Sequence, residues 1–267
     1  LTYIMESPHE KGVIWTASDD GVVSLTRDNG ANWKNVTPKG LEECLVNAIE
    51  ISPHDKATAY IATTRYKFND HTPGLYKTTD YGNTWTKINN GLPANAFTRV
   101  VREDSVRRDL LFAGTELGLF ISWNGGSDWA PFQLNLPVTP ITDLRIHKGN
   151  LIAATSGRAF WILDDLTVIR QYKKDSPSFA LYRPDNVYMV NGSSELDSSD
   201  DEFTGANRFR GVNPSTGVVI YYQLPELKKG DEITMEIKDA SGNTVRTFSS
   251  KAVEGQQRWD GAPRPDP

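Results

Sequence analysis

Three segments of the chain repeat one pattern and leave few architectures open: TRDNGANW at 26–33, TTDYGNTW at 78–85 and SWNGGSDW at 122–129. All fit S/T-x-D/N-x-G-x-x-W, and the tryptophans stand 52 and then 44 residues apart. The residue types follow from what a tight turn needs. Thr26, Thr78 and Ser122 open the turns, and a short carboxylate or amide at Asp28, Asp80 and Asn124 accepts backbone N–H groups a few residues on. Gly30, Gly82 and Gly126 supply the positive φ of a hairpin. Trp33, Trp85 and Trp129 then start the next strand and bury a large surface by folding back. These polar side chains are committed to backbone donors, so the pattern reads as scaffold rather than as catalysis.

Around each turn the same order of short strands recurs. The first unit offers TYIMES, VIWTAS, VVSLT and the strand after Trp33. The second offers NAIEIS, TAYIATT, GLYKTT and TWTKI, and the third TRVVRED, LLFAGT, LGLFIS and DWAPF. A fourth unit, ITDLRIH, NLIAATS and RAFWIL, lacks the motif and ends in Asp164-Asp165. NNGLP and LNLP separate the units, and no stretch has helical periodicity. A repeat of about 40 to 50 residues, each carrying four strands, is the signature of propeller blades. The expected fold is therefore all-β, with about four blades over residues 1–172.

Composition closes off other classes. A formal net charge of −5 without a basic stripe speaks against nucleic acid as a partner. No apolar run approaches the roughly 18 residues of a membrane span. One cysteine, Cys44, excludes an internal disulfide and any multi-cysteine metal site. His9, His54, His71 and His147 form no pair at metal-ligand spacing, so neither a metal nor a cofactor is implied. The chain opens on Leu1 within an expected strand, which implies upstream sequence.

With these motifs the chain resembles the BNR/Asp-box repeat proteins, which include sialidases, xyloglucanase-type glycoside hydrolases and sortilin-like propellers. The likeness is closest to large bacterial exported proteins of sortilin-like or glycosyl-hydrolase-like type, whose counterparts match TRDNGANWKNVTP, YKTTDYGNTWTKINNGLP, LLFAGTELGLF and ATSGRAFWILDDLTVIRQ. It covers residues 1 to about 250. It implies a secreted, periplasmic or cell-surface protein, and four blades that are part of a propeller of seven or more. The remaining blades would come from the same precursor or a copurifying fragment. A closed four-bladed ring is the alternative. Activity does not follow, because the box occurs in enzymes and non-enzymes alike.

Beyond the blades the composition changes. Residues 173–210 are polar and turn-rich and read as a linker. Strands return over 211–267 in GVVIYYQL, EITMEIKD and NTVRTFSS, the last two joined by a hairpin signal at Asp239–Asn243. By resemblance this is part of an immunoglobulin-like β-sandwich. The acidic run Asp197, Asp200, Asp201 and Glu202 reads as a solvated loop ahead of a calcium site.

Candidate function is sought at the end of the propeller away from the boxes, where second-to-third-strand loops and blade connections gather. The second blade carries an insertion there, Arg65 to Pro73, from which Tyr66, Lys67, Phe68, Asp70 and His71 are candidate ligand contacts. Asp19, Asp20 and Arg158 occupy the corresponding loops of the first and fourth blades. Trp15, Trp123 and Trp161 are assigned to packing between blades ahead of sugar stacking. Arg65, Arg99, Arg102, Arg145 and Arg158 offer arginines of the kind sialidases use, without a spacing that assembles them. Two carboxyls flanking a glycosidic bond are not discernible either. The expected function is an exported binding module for polysaccharide or protein. The alternatives are a glycoside hydrolase with carboxylates partly outside the chain, and a sortilin-like peptide-binding or assembly module.

Overall fold

The computed structural model describes residues 1–173, 179–187, 217–228 and 230–251. It divides into two compact units, Leu1–Leu166 and Thr167–Pro267. The first consists of successive antiparallel sheets, each built from strands adjacent in sequence. The first sheet holds β1 (Tyr3–Glu6), β2 (Ile14–Ala17), β3 (Val23–Thr26) and β4 (Lys34–Asn35) in that order. The second holds β5 (Leu45–Ile51), β6 (Ala59–Arg65), β7 (Asp70–Thr78) and β8 (Thr86–Lys87). The third holds β9 (Thr98–Glu103), β10 (Leu111–Thr115), β11 (Gly118–Ser122) and β12 (Ala130–Pro131). A fourth, three-stranded sheet holds β13 (Ile141–His147), β14 (Asn150–Thr155) and β15 (Phe160–Leu163). The first strands lie side by side, β1 against β5, β5 against β9 and β9 against β13. Four meanders stacked through their first strands are β-propeller blades.

Each box turn closes the same way. The Thr26 hydroxyl donates to Asp28 Oδ1 (2.8 Å) and accepts the Gly30 N–H (2.9 Å), while Asp28 Oδ1 accepts the Asn32 N–H (2.8 Å). Thr78, Asp80, Gly82 and Thr84 repeat this, with Thr84 N–H to Asp80 Oδ1 at 2.9 Å. The third copy exchanges acid and amide. Asn124 replaces the aspartate, and Asp128 stands where the first turn has Asn32, so the side-chain bond survives with donor and acceptor swapped (Asn124 Nδ2 to Asp128 Oδ2, 3.0 Å). In the first turn the Asn32 backbone and side-chain donors hold the Asp28 carboxyl down to about 2.

The tryptophans do more than cover their own blades. Trp85 Nε1 donates to the Val36 carbonyl of the first blade (2.7 Å), and its ring meets Trp15 edge-on at 6.2 Å. Trp129 Nε1 donates to the Ile88 carbonyl of the second blade (2.7 Å). Gly82 and Gly126 sit under these contacts. A Cβ on Gly82 would come within 2.7 Å of Val36 Cβ, and one on Gly126 within 2.5 Å of Ile88 Cδ1. A side chain there would push adjacent blades apart.

A second inter-blade tie lies in residues the sequence reading left scattered. Ser7-Pro8-His9 follows β1 and Ser52-Pro53-His54 follows β5. His9 Nε2 bonds the Ser52 carbonyl (2.9 Å), and His54 Nε2 bonds the Asp104 carbonyl (2.7 Å). Each histidine reaches the equivalent position of the next blade.

The second unit shows two antiparallel pairs among its described residues, β16 (Ala180–Leu181) with β17 (Tyr222–Gln223) and β18 (Thr234–Lys238) with β19 (Thr244–Ser249). The Asp239–Asn243 turn links the latter pair, Asp239 Oδ1 accepting the Ser241 and Asn243 N–H groups at 2.9 Å. GVVIYYQL contributes only the two residues of β17. One helix departs from the all-strand expectation, α1 (Thr167–Gln171); five residues make little more than one turn, too short to register as periodicity. Most of 173–210, including Asp197, Asp200, Asp201 and Glu202, lies outside the described residues, as do Val212 and residues 252–267.

Trp129 is 5% exposed and Trp33 is 47% exposed. Trp129→Ala should therefore cost about 3–5 kcal/mol, the range for a buried large aromatic. Trp33→Ala should cost about 0.5 kcal/mol or less, as for an exposed position. Urea denaturation of the two variants checks the contrast.

Candidate functional site

Antiparallel meanders alternate direction, so the turns after first and third strands share one end of the blades and those after second and fourth strands share the other. The box turns lie at the first end, where Asn29 N–H bonds the Gly12 carbonyl and Tyr81 N–H the Ala57 carbonyl. The second-blade insertion lies at the opposite end.

That insertion is more regular than the loop expected. β6 and β7 run on to pair Arg65 with Asp70, with a bulge between Thr63 and Arg65. Only a 3-10 turn, Tyr66–Phe68, and Asn69 at φ 57° separate the strands. Asp70 through Pro73 are thus strand residues, and the aromatic side chains stand on a hairpin rather than on a slack loop. Bulges of this kind re-aim side chains at sheet edges.

Tyr66 stacks on Phe97 with ring centroids 5.5 Å apart and planes 25° apart. His71 tilts against the same ring at 5.8 Å, and the Arg99 guanidinium lies 5.1 Å from its centroid. Phe97 itself is buried, whereas Tyr66 and Phe68 are 42% and 52% exposed. The result is an aromatic platform with a buried base and an open upper surface. Its charges are neutralised locally. Arg99 bonds Glu116 Oε2 through Nε (2.9 Å) and NH2 (2.7 Å). Arg65 pairs with Glu42 and, at 3.4 Å, with Asp70. The Thr72 N–H and hydroxyl hold the Asp70 carboxyl below its usual range. Each of these carboxylates is engaged by an arginine, Glu42 and Asp70 by the same guanidinium nitrogen.

The other candidates do not join this group. Asp20 closes its own turn, bonding the Ser18 hydroxyl and the Val22 N–H. Arg158 engages through its backbone, N–H to Thr155 Oγ1 and carbonyl to Trp161 Nε1. Lys67 adds charge to the 3-10 turn. Trp15 is fully buried between blades.

The arginines do not assemble into one cluster either. Arg102 on β9 is buried and gathers the first strands of all four blades. Nε donates to the Leu144 carbonyl (2.9 Å), NH2 to Asp143 Oδ1 (2.9 Å) and the Tyr3 hydroxyl (3.1 Å), and NH1 to Glu50 Oε2 (3.4 Å). Burial pushes the Glu50 carboxyl up to about 7, against the pull of Arg102 and of the Glu103 N–H. The sequence reading missed Phe97 and Glu116 on the platform and Glu50 and Asp143 in the hub, and named Arg99 only among scattered arginines. A usable signal existed. Counting back from Ser52 and Asp104, Glu50 and Arg102 occupy the same place in NAIEIS and VVRED and carry opposite charges.

No family model matches the chain, and no curated protein matches it. Solved structures with similar coordinates include YCF48 bound to D1 peptide, at 16% identity over 61% of this chain and 55% of that one, TM-score 0.45. A GH74 enzyme of Niastella koreensis is similar at 19% identity over 69% of this chain and 31% of that one, TM-score 0.49. The extracellular domain of BT3049 from B. thetaiotaomicron is similar at 16% identity over 61% and 20%, TM-score 0.45. The chain thus spans about half the length of the first and less of the others. What those proteins bind or cleave stays with them.

Two variants probe the hub. Arg102→Met strands buried Glu50 without its cation and should cost about 3–5 kcal/mol in denaturant unfolding. Glu50 ionises near its ordinary 4.5 when unfolded and near 7 when folded. Its contribution is whole below pH 4.5 and is lost as pH rises to 7. Thermal melts should show stability falling across that window, and Glu50→Gln should flatten the fall. The Asp28 carboxyl acts elsewhere: held at about 2, it stabilises above its ordinary 3.8 and loses this only as pH drops below it.

Proposed function

We propose that the chain is the blade-bearing part of an exported Asp-box protein whose Tyr66–His71 hairpin binds a polysaccharide. The observation that carries this reading is the Tyr66 ring stacked on buried Phe97 with its outer surface open. Sugar rings present flat C–H faces to such aromatics, and flanking polar groups set orientation. Phe68, His71, Lys67 and Asp70 supply those surroundings. The pairing of Glu42, Asp70 and Glu116 with arginines favours binding over hydrolysis, since a glycosidase keeps two carboxyls facing the scissile bond. Asp19, Asp20 and Arg158 are outer contacts in this reading, reached only by an extended ligand.

Asp-box membership is supported by the three box turns and their shared hydrogen bonds, and export is what that membership would imply. The blades form part of a propeller of seven or more, with residues 173–210 as a linker and the C-terminal strands opening an immunoglobulin-like sandwich.

A glycan array, with a peptide library beside it, tests the assignment. Tyr66→Ala should weaken glycan binding about tenfold or more, as truncation of an anchoring aromatic does, while leaving the melting temperature near that of the parent. Peptide binding through Tyr66 in place of glycan binding would assign the platform to a protein partner. Turnover of a β-glucan, abolished by Asp70→Asn, would sink the non-catalytic reading.

A further inference from the structure

The aromatic platform is built across a joint. Tyr66 and His71 belong to the second blade, whereas Phe97, the ring they share, and Arg99 stand at the head of β9 in the third. Immediately below, Thr98 is fully buried and ties the two blades together. Its hydroxyl donates to the Thr63 carbonyl (3.1 Å) and accepts the Gly74 N–H (3.1 Å), and its carbonyl accepts Asn47 Nδ2 (3.0 Å). The stack of Tyr66 on Phe97 therefore holds only while the second blade stays seated on β9.

The other end of β9 carries charge that works against that seating. Glu50 on β5 accepts the Glu103 N–H (3.3 Å) and pairs with Arg102 NH1 (3.4 Å). Glu103 is itself 4% exposed. Its Oε1 accepts the Asp109 N–H (2.9 Å), and its Oε2 has no donor in bonding geometry among the described residues. Arg102 does not serve both carboxylates, because its NH2 is committed to Asp143 on β13 and Tyr3 on β1. The remaining neighbours add little. β6 brings Tyr60, whose hydroxyl burial and Glu103 push above its ordinary range. β7 brings Lys77, 5.5 Å from the Tyr60 ring but paired with Asp109 (3.4 Å), and β13 brings Arg145. Two buried carboxylates thus meet where one buried guanidinium is divided, and burying charge without a matched partner is costly.

We propose, on the reading of the Tyr66 platform as the ligand site, that the joint between the second and third blades is a proton-controlled grip on that site. A proton held by the Glu50–Glu103 pair seats β5 on β9 and assembles the platform; loss of that proton loosens both. The sign follows from burial. Glu50 ionises near its ordinary 4.5 where water reaches it and is pushed up to about 7 in the seated joint. The seating contribution is whole below pH 4.5 and is lost as pH rises to 7. With those values the ratio of loosened to seated joint rises by roughly two orders of magnitude at most between pH 5 and pH 8. Coupling is reciprocal, so a ligand that grips Tyr66 over Phe97 draws a proton from solvent onto Glu50.

A para-fluorophenylalanine at position 97 of the full chain reports the stack through its fluorine resonance and has no titrating group of its own. The resonance should move in one step between pH 4.5 and pH 7. Glu50→Gln should abolish the step. Glu103→Gln, which removes the neighbouring like charge, should move it to lower pH. His71→Gln should leave it in place, which separates the joint from titration of the histidine beside the ring. A step kept in Glu50→Gln and lost in His71→Gln, or no step in the parent, would overturn the proposal. The glycan array repeated at pH 5 and pH 8 is the second arm. Parent binding should be about tenfold weaker at pH 8, and Glu50→Gln should bind equally at both. Equal binding by the parent at both, still dependent on Tyr66, would remove the grip and keep the ligand assignment. A fluorine step with no glycan bound at either pH would keep the proton-controlled joint and remove the assignment.

Discussion

A single hydrogen bond, from a box tryptophan to a carbonyl of the preceding sheet, is the joint on which this arrangement of blades depends. A four-stranded meander has two apolar faces and cannot bury both alone. The box turn solves this by fixing the indole at the blade margin, where Trp85 and Trp129 reach Val36 and Ile88. The glycine of the turn allows the approach, because its missing side chain is the space the neighbour occupies. The His9 and His54 bonds to Ser52 and Asp104 tie the same blades nearer their first strands. Together they hold the blades in a fixed angular step.

The two polar systems of the blades differ in depth and so in consequence. Box aspartates lie at the surface and bond backbone donors of their own turns; the Asn124–Asp128 exchange shows that geometry, not charge, is what the turn requires. The Arg102 hub is buried, and charge there is costly unless matched. Glu50 is held partly neutral at physiological pH by its surroundings. The hub fixes how four first strands meet, at the expense of a pH-dependent stability that an apolar core would lack.

Much of the candidate site was legible in the chain and part was not. The length of the insertion and its aromatic residues pointed to Tyr66, Phe68 and His71. Phe97 gave no such signal, since it sits in a blade connection thirty-one positions after Tyr66 and matters only because the fold lays it beneath that ring. Pairing of β6 with β7 sets Asp70 against Arg65 and Thr72, an arrangement its neighbours in the sequence do not show. Asp20 bonds within its own turn, to the Ser18 hydroxyl and the Val22 N–H.

The repeat alone determined that the chain forms antiparallel blades, where each turn falls and which glycines and tryptophans make it. Those are local matters, decided by short side chains bonding backbone a few residues away. Only the tertiary structure decided which faces close, because closure depends on a neighbour that local sequence does not specify. Trp33 and Trp129 occupy the same place in one motif. One is solvent-exposed and the other is buried, for the sole reason that a carbonyl of another blade stands beside the second.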